Sequence, residues 1–150
     1  LRRGPDGTTH TTPFLLKYTV FPWLQLQAGG NGLLRNSMGS DFDDVYAGAK
    51  FHLRDQGEVM PSLAFSATLG IPTGPDTPDH HRTVNGLFNF YVTKEKGIVH
   101  ADFNVGANLF NLAAPPTIQL WGALAVSVAL PHQFTLMGEL WGQSDAHPPG

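Results

Sequence analysis

The feature that most constrains the fold is a two-residue alternation of apolar and polar positions, sustained over eight segments at approximately 12–20, 23–30, 43–53, 61–72, 83–94, 98–110, 117–130 and 133–143. Successive side chains of a β-strand point to opposite faces, so each such segment presents two unlike faces. Over residues 44–54 one parity holds Val45, Ala47, Ala49, Phe51 and Leu53, and the other holds Asp44, Tyr46, Gly48, Lys50 and His52. The next segment sets Leu63, Phe65, Ala67, Leu69 and Ile71 against Ser62, Ala64, Ser66, Thr68 and Gly70. Further on, Val99, Ala101, Phe103, Val105, Ala107 and Leu109 oppose His100, Asp102, Asn104, Gly106 and Asn108. In every segment the apolar face is expected to be free of charge. No segment carries the i, i+3, i+4, i+7 pattern of an amphipathic helix, so the chain is expected to be all-β with almost no helix.

Periodicity does not say which face points outward. A soluble β-barrel binding module with a hydrophobic cavity would turn the apolar face inward, and a membrane barrel would turn it to lipid. Three features favour the second. Charged residues make up 14% of the 150 residues, against roughly 25% in a typical soluble domain. The polar face is mostly Gly, Ala, Ser, Thr, Asn and Gln, where a soluble exterior would carry more Lys and Glu. The segments run near the roughly 9–11 residues that a tilted transmembrane strand needs. Apolar runs of about 18 residues, as in helical membrane proteins, do not occur. The connections reinforce this reading. Links at Phe21-Pro22, 54–60, Glu95-Lys96-Gly97 and Pro131-His132 are expected to be short, and those at 31–42, 73–82 and 111–116 long. Alternation of short turns with longer loops is characteristic of up-and-down membrane barrels. The expected fold is therefore an up-and-down antiparallel transmembrane β-barrel with about eight strands visible, forming a single domain over residues 1–150.

The net charge is −3, with no cluster of Lys or Arg. Nucleic acid is not an expected partner, because phosphate binding needs a basic patch. The absence of cysteine excludes disulfides and thiolate metal sites. Leu1-Arg2-Arg3-Gly4-Pro5 has no apolar stretch after it and is not a signal peptide. The last residues, His147-Pro148-Pro149-Gly150, are not a strand ending on an aromatic. Both features lead to the expectation that the chain is part of a larger barrel.

The polar parity supplies the candidate site residues. Lys17, Asp44, Lys50, His52, His100, Asp102 and Glu139 are the expected charges of a barrel lumen. Gln25, Gln27, Asn85, Asn89, Asn104, Asn108 and Gln119 would supply uncharged hydrogen-bonding groups. Tyr46, Tyr91, Trp121 and Trp141 are candidate aromatic surfaces for a passing solute. Tyr18, Phe21 and Trp23 lie by a short turn, where an interfacial girdle would stand. His100 with Asp102, or Lys50 with His52, could form an acid–base pair. No Gly-x-Ser-x-Gly elbow, His-Glu-x-x-His or phosphate loop accompanies them, so lumen lining is expected and enzyme activity is not. Asp79-His80-His81 could ligate a metal, but it lies in a Pro/Gly-rich stretch without a fixed set of partners. A solvated loop is expected there, with no metal and no cofactor.

Two stretches carry a family likeness. Asp-Val-Tyr-Ala-Gly-Ala-Lys-Phe-His-Leu at 44–53 and Pro-Ser-Leu-Ala-Phe-Ser-Ala-Thr-Leu-Gly-Ile-Pro-Thr-Gly at 61–74 resemble the outer-membrane transporter family associated with meta-pathway phenol degradation. The pair Leu15-Leu16-Lys17-Tyr18 and Phe21-Pro22-Trp23-Leu24-Gln25-Leu26 fits its strand–turn–strand pattern. Ile71-Pro72-Thr73-Gly74 is the best single marker, and the likeness runs from about Pro13 to Gln143. The resemblance implies a porin-like channel or transporter in the outer membrane of a Gram-negative bacterium. It would let small organic, including aromatic, compounds pass passively, with the lipid bilayer and the solute as partners. It carries over no catalytic residue.

Overall fold

A computed structural model describes residues 2–4, 7–36, 39–74, 83–113 and 115–146. Among these residues the chain is all-β. In order the strands are β1 (Arg2–Gly4), β2 (Gly7–Thr11), β3 (Phe14–Phe21), β4 (Leu24–Gly30), β5 (Leu33–Asn36), β6 (Gly39–Phe42), β7 (Val45–Arg54), β8 (Ser62–Ile71), β9 (Asn85–Lys96), β10 (Val99–Phe110), β11 (Thr117–Ala129) and β12 (Thr135–Gln143). Eight of them form one antiparallel sheet in the order β3-β4-β7-β8-β9-β10-β11-β12, in which every neighbour is also the next long strand in the chain. This meander is what alternating segments joined by turns should give. Its strands coincide with the eight segments read from the alternation.

The sheet is open. β3 and β12 are its two edges, and no pairing joins them among the described residues. The eight strands thus form an unclosed antiparallel sheet among the described residues, and not the expected closed barrel.

The stretch 31–42, expected to be a long loop, is mostly strand. β5 and β6 pair as a hairpin, and β2 adds to β5 as β3 adds to β4. Thr12 N donates to Asn31 O and Asp43 N to Gly32 O, which carries the pairing across the break between the two sheets. β1, β2, β5 and β6 form a small second sheet that prolongs the first beyond one end. The strict rhythm of short and long connections is also relaxed. The link 55–61 is no shorter than 111–116, whereas Pro22-Trp23 and Gly97-Ile98 are tight turns. A register shift between His52 and Arg54 displaces the end of β7, so its link to β8 must travel further. Lys94 holds that link, donating to the carbonyls of Gly57 at 2.7 Å, Glu58 at 2.8 Å and Met60 at 3.2 Å.

Lys94 also corrects the expectation of a charge-free apolar face. It shares the parity of Phe88, Phe90 and Val92, so the face is uncharged only up to Val92. The charge is accommodated at the rim because three backbone carbonyls meet it there.

The two faces differ in enclosure, and the polar one is inside. Ser66 is 0% exposed and is the one side chain completely buried among the described residues. Ala64 and Thr68, its neighbours of the same parity, are also buried. On the opposite face Leu120 is 58% exposed, and Leu69, Phe103, Val105, Leu124 and Val126 are likewise exposed, while on the edge strand β12 both faces are open, Leu140 and Trp141 alike. Near the tight-turn end of the outward face, Phe21 stacks on Trp23 and Trp23 on Phe51, with centroids 5.4 and 6.5 Å apart.

Candidate functional site: the enclosed polar face

The register arranges the polar parity in rows that cross the sheet. At the end of the long connections lies Leu15, Gly29, Tyr46, Gly70, Asn85. The second row is Lys17, Gln27, Gly48, Thr68, Leu87, Asn108, Gln119. The third is Thr19, Gln25, Lys50, Ser66, Asn89, Gly106, Trp121, Gln143. The fourth is His52, Ala64, Tyr91, Asn104, Ala123, Trp141. Ser62, Thr93, Asp102, Ala125 and Glu139 follow, and then Glu95, His100, Ser127 and Met137. Every residue proposed from the sequence as lining this face stands in one of these rows except Asp44.

Glycines let long side chains lie across neighbouring strands. Gln27 Nε2 on β4 donates to Thr68 Oγ1 on β8 at 3.0 Å, passing over β7 where the row holds Gly48. A Cβ at Gly48 would sit 2.5 Å from both Thr68 Oγ1 and Ala67 O. Tyr46 lies in the same way over Gly29, its Cζ 2.6 Å from where a Cβ would be. Over Gly106, Asn89 Oδ1 and Trp121 Nε1 converge from either side, at 2.5 and 2.6 Å from the vacant Cβ position. Asn89 Oδ1 is buried without a hydrogen bond, and the indole N–H beside it is a donor of the kind it lacks. The other end of the Asn89 amide reaches Ser66 Oγ at 3.4 Å and the Tyr91 hydroxyl at 3.3 Å. Ser66 and Tyr91 share a hydrogen bond of 3.1 Å, and Lys50 Nζ lies 4.3 Å from the centre of the Tyr91 ring. Cation and ring attract through the ring quadrupole. Lys50 reaches Tyr91 across β8, where the small residues Ser66 and Ala64 stand.

Charge gathers towards the tight turns. His100 bridges two carboxylates, with Nδ1 2.8 Å from Glu95 Oε1 and Nε2 2.6 Å from Asp102 Oδ2. Asp102 also accepts from Thr93 Oγ1 at 2.6 Å. His52 pairs with Asp55 at 2.9 Å. The acid–base pair considered from the sequence is therefore real as a contact between His100 and Asp102. Both imidazole nitrogens are engaged, so neither is left to take a proton from a solute. The two carboxylates also approach opposite edges of the ring and do not converge on one point. Among the described residues no group of three or more His, Asp or Glu is placed to hold a metal ion. Asp79-His80-His81 lies outside the described residues.

Asp44 stands in the break between β6 and β7 and ties two connections. Its Oδ1 accepts from Gly74 N at 2.9 Å. Thr73 Oγ1 accepts from Val45 N and donates to Asp43 O, each at 3.1 Å. Asp43 accepts from Asn31 Nδ2 at 2.6 Å. The Pro-Thr-Gly marker thus fastens the end of β8 to the Asp-Asp step that opens β7. Short carboxylate and hydroxyl side chains bond nearby backbone in this manner, so Asp43-Asp44 before a strand and Thr73 after one were the readable signal. Asn85 also serves the rim, its Oδ1 accepting from Asn111 N at 3.0 Å.

Between this rim and the first rows lies a cavity of about 690 Å³ whose walls run from Leu15 and Lys17 on β3 to Asn108 on β10. Gln27, Tyr46, Thr68, Asn85 and Asn89 line it. The volume is within the range of small-molecule pockets, about 300–1,000 Å³.

Comparison with protein-family profiles, curated proteins and solved structures finds no match to this chain. The resemblance described from the sequence rests on its motifs.

Proposed function

We propose that this chain forms the wall of an outer-membrane β-barrel, and that its polar face lines a lumen through which small organic solutes pass. The observation that carries the reading is the inversion of burial within the sheet: a serine is fully enclosed while Leu120 and Phe103 on the opposite face are exposed. In water that distribution leaves apolar surface unburied at roughly 25 cal/mol per Å². In lipid it costs nothing, and the outward face is what a bilayer requires. A soluble module with a hydrophobic cavity gains no support from an enclosed face made of Ser66, Thr68, Gln27 and Asn89. The open edges β3 and β12 bear on the same point. Unpaired backbone groups in hydrocarbon cost several kcal/mol each, so in a membrane the sheet closes on itself or on further strands. The motif resemblance adds the class of cargo, small and including aromatic compounds.

The test is reconstitution of the purified chain into planar bilayers. Stepwise conductance, with solute flux in liposome swelling, is the expected result. A chain that stays monomeric in detergent-free buffer and gives no conductance would overturn the reading.

A further inference from the structure

The cavity at the long-connection end has a chemistry more specific than a polar lining. Its floor is the row Gly29, Tyr46, Gly70. Tyr46 lies flat on Gly29, and the position of a Cβ at Gly70 meets nothing closer than Asn85 Cβ at 3.5 Å. An aromatic surface with open space beside it is a stacking platform.

Two of the walls are amides, each with one N–H engaged within the sheet. Gln27 gives its N–H to Thr68, and Asn108 Nδ2 donates to Gln119 Oε1 at 3.0 Å. Their own carbonyl oxygens accept nothing among the described residues. Asn85 has the opposite arrangement, its oxygen occupied by Asn111 N and Thr83 Oγ1 and its N–H₂ unused among the described residues. Gln27 and Asn108 therefore each offer a carbonyl and a second N–H, and Asn85 offers its N–H₂. A hydroxyl is both donor and acceptor and can meet either. A carboxylate only accepts, so it would leave the carbonyls of Gln27 and Asn108 unmatched, and the lining places Lys17 as well as Asp43 and Asp44 beside it, which gives an anion no one-sided attraction. A ring with a single hydroxyl would satisfy one wall at most.

We propose that this cavity is a binding subsite for an uncharged, polyhydroxylated ring of monosaccharide size. The apolar face of the ring stacks on Tyr46, and its hydroxyls reach Gln27, Asn108 and Asn85. The proposal rests on the polar face being accessible to solute, as in the lumen reading, and it gives that reading a preferred ligand.

The experiment is saturation-transfer NMR on the full chain folded in detergent micelles, with methyl α-glucopyranoside, phenol and benzoate as probes, run beside bilayer conductance. The expected result is saturable binding of the glucoside, tighter than that of phenol or benzoate. Tyr46→Leu should weaken it on the order of tenfold, which is about 1.4 kcal/mol. Tyr46→Phe keeps the ring and should bind within about twofold of the parent. Asn108→Leu, which leaves Tyr46 in place, should also weaken it. No saturable binding of the glucoside, equal binding by Tyr46→Leu, or tighter binding of benzoate would each overturn the proposal. Binding in micelles without conductance would sustain the subsite while overturning the channel, and conductance without glucoside binding would do the reverse.

Discussion

The outward and inward faces of this sheet use the same strands and ask different things of a residue. Outward positions such as Phe103, Val105, Leu120 and Leu124 touch little of their own chain and differ freely in shape. What they share is the absence of charge. Inward positions are individually fitted: Gln27 needs Gly48 beneath it, Tyr46 needs Gly29, and Lys50 crosses β8 over small side chains to the Tyr91 ring. One face is specified by its solvent and the other by its neighbours. A change of polarity should therefore damage the first, and a change of size the second.

The largest expected effect comes from charge on the outward face. Leu124→Arg places a cation at mid-strand, opposite Phe103, and should cost about 2–4 kcal/mol in urea unfolding of bilayer-folded protein. Asn104→Arg, on the inward face of the adjacent strand, should cost less than about 1 kcal/mol. Equal losses from the two would break the assignment of faces.

Next comes size on the inward face. Gly48→Ala puts a methyl group 2.5 Å from the backbone oxygen of Ala67, which cannot turn aside. A loss of about 1–3 kcal/mol in the same unfolding measurement is expected. A neutral outcome would mean that the Gln27–Thr68 crossing does not depend on the glycine.

The rim should respond more weakly. Thr73→Val removes the hydroxyl that joins Val45 N to Asp43 O, and a loss of about 1 kcal/mol is expected, with Thr73→Ser restoring most of it. Faster amide exchange at Val45 would localise the effect.

The smallest effect sharpens the comparison by failing to appear. Gly122 is on the outward parity, and a Cβ there meets nothing closer than Asn104 O at 3.7 Å. Gly122→Ala should leave stability within about 0.5 kcal/mol of the parent.

Much of this is legible in the sequence because alternation is a local property. Reading Val45 to Leu53 or Val99 to Leu109 by parity is enough to sort two faces, and the meander follows from one strand being joined to the next. The rows are not legible. Which residue faces which depends on register, and the shift between His52 and Arg54 is not written in either strand alone. Hence His100 and Asp102 can be proposed together, being two apart, but the crossing of Gln27 to Thr68 cannot. Asp44 reads as a lumen charge because it continues the parity of Tyr46 and Gly48. It stands just before the strand begins, where its carboxylate accepts from Gly74 N while lining the cavity. β5 and β6 leave no signal because Leu33–Asn36 and Gly39–Phe42 are too short to show a period. Lys94 is missed because it is the last residue of the segment read as 83–94, where the alternation has already given way to the polar run Thr93-Lys94-Glu95-Lys96.

The glycines under Tyr46, Gln27 and Trp121 have a consequence for descent. A face that demands only greasiness can exchange Leu, Val, Phe and Ala without penalty, so its letters blur quickly between lineages. A position that must lack a side chain has one acceptable letter. Distant kin of this chain are therefore better sought by the spacing of Gly29, Gly48 and Gly106 against their bulky partners than by overall likeness. The record of descent in this wall is therefore carried by its smallest residues.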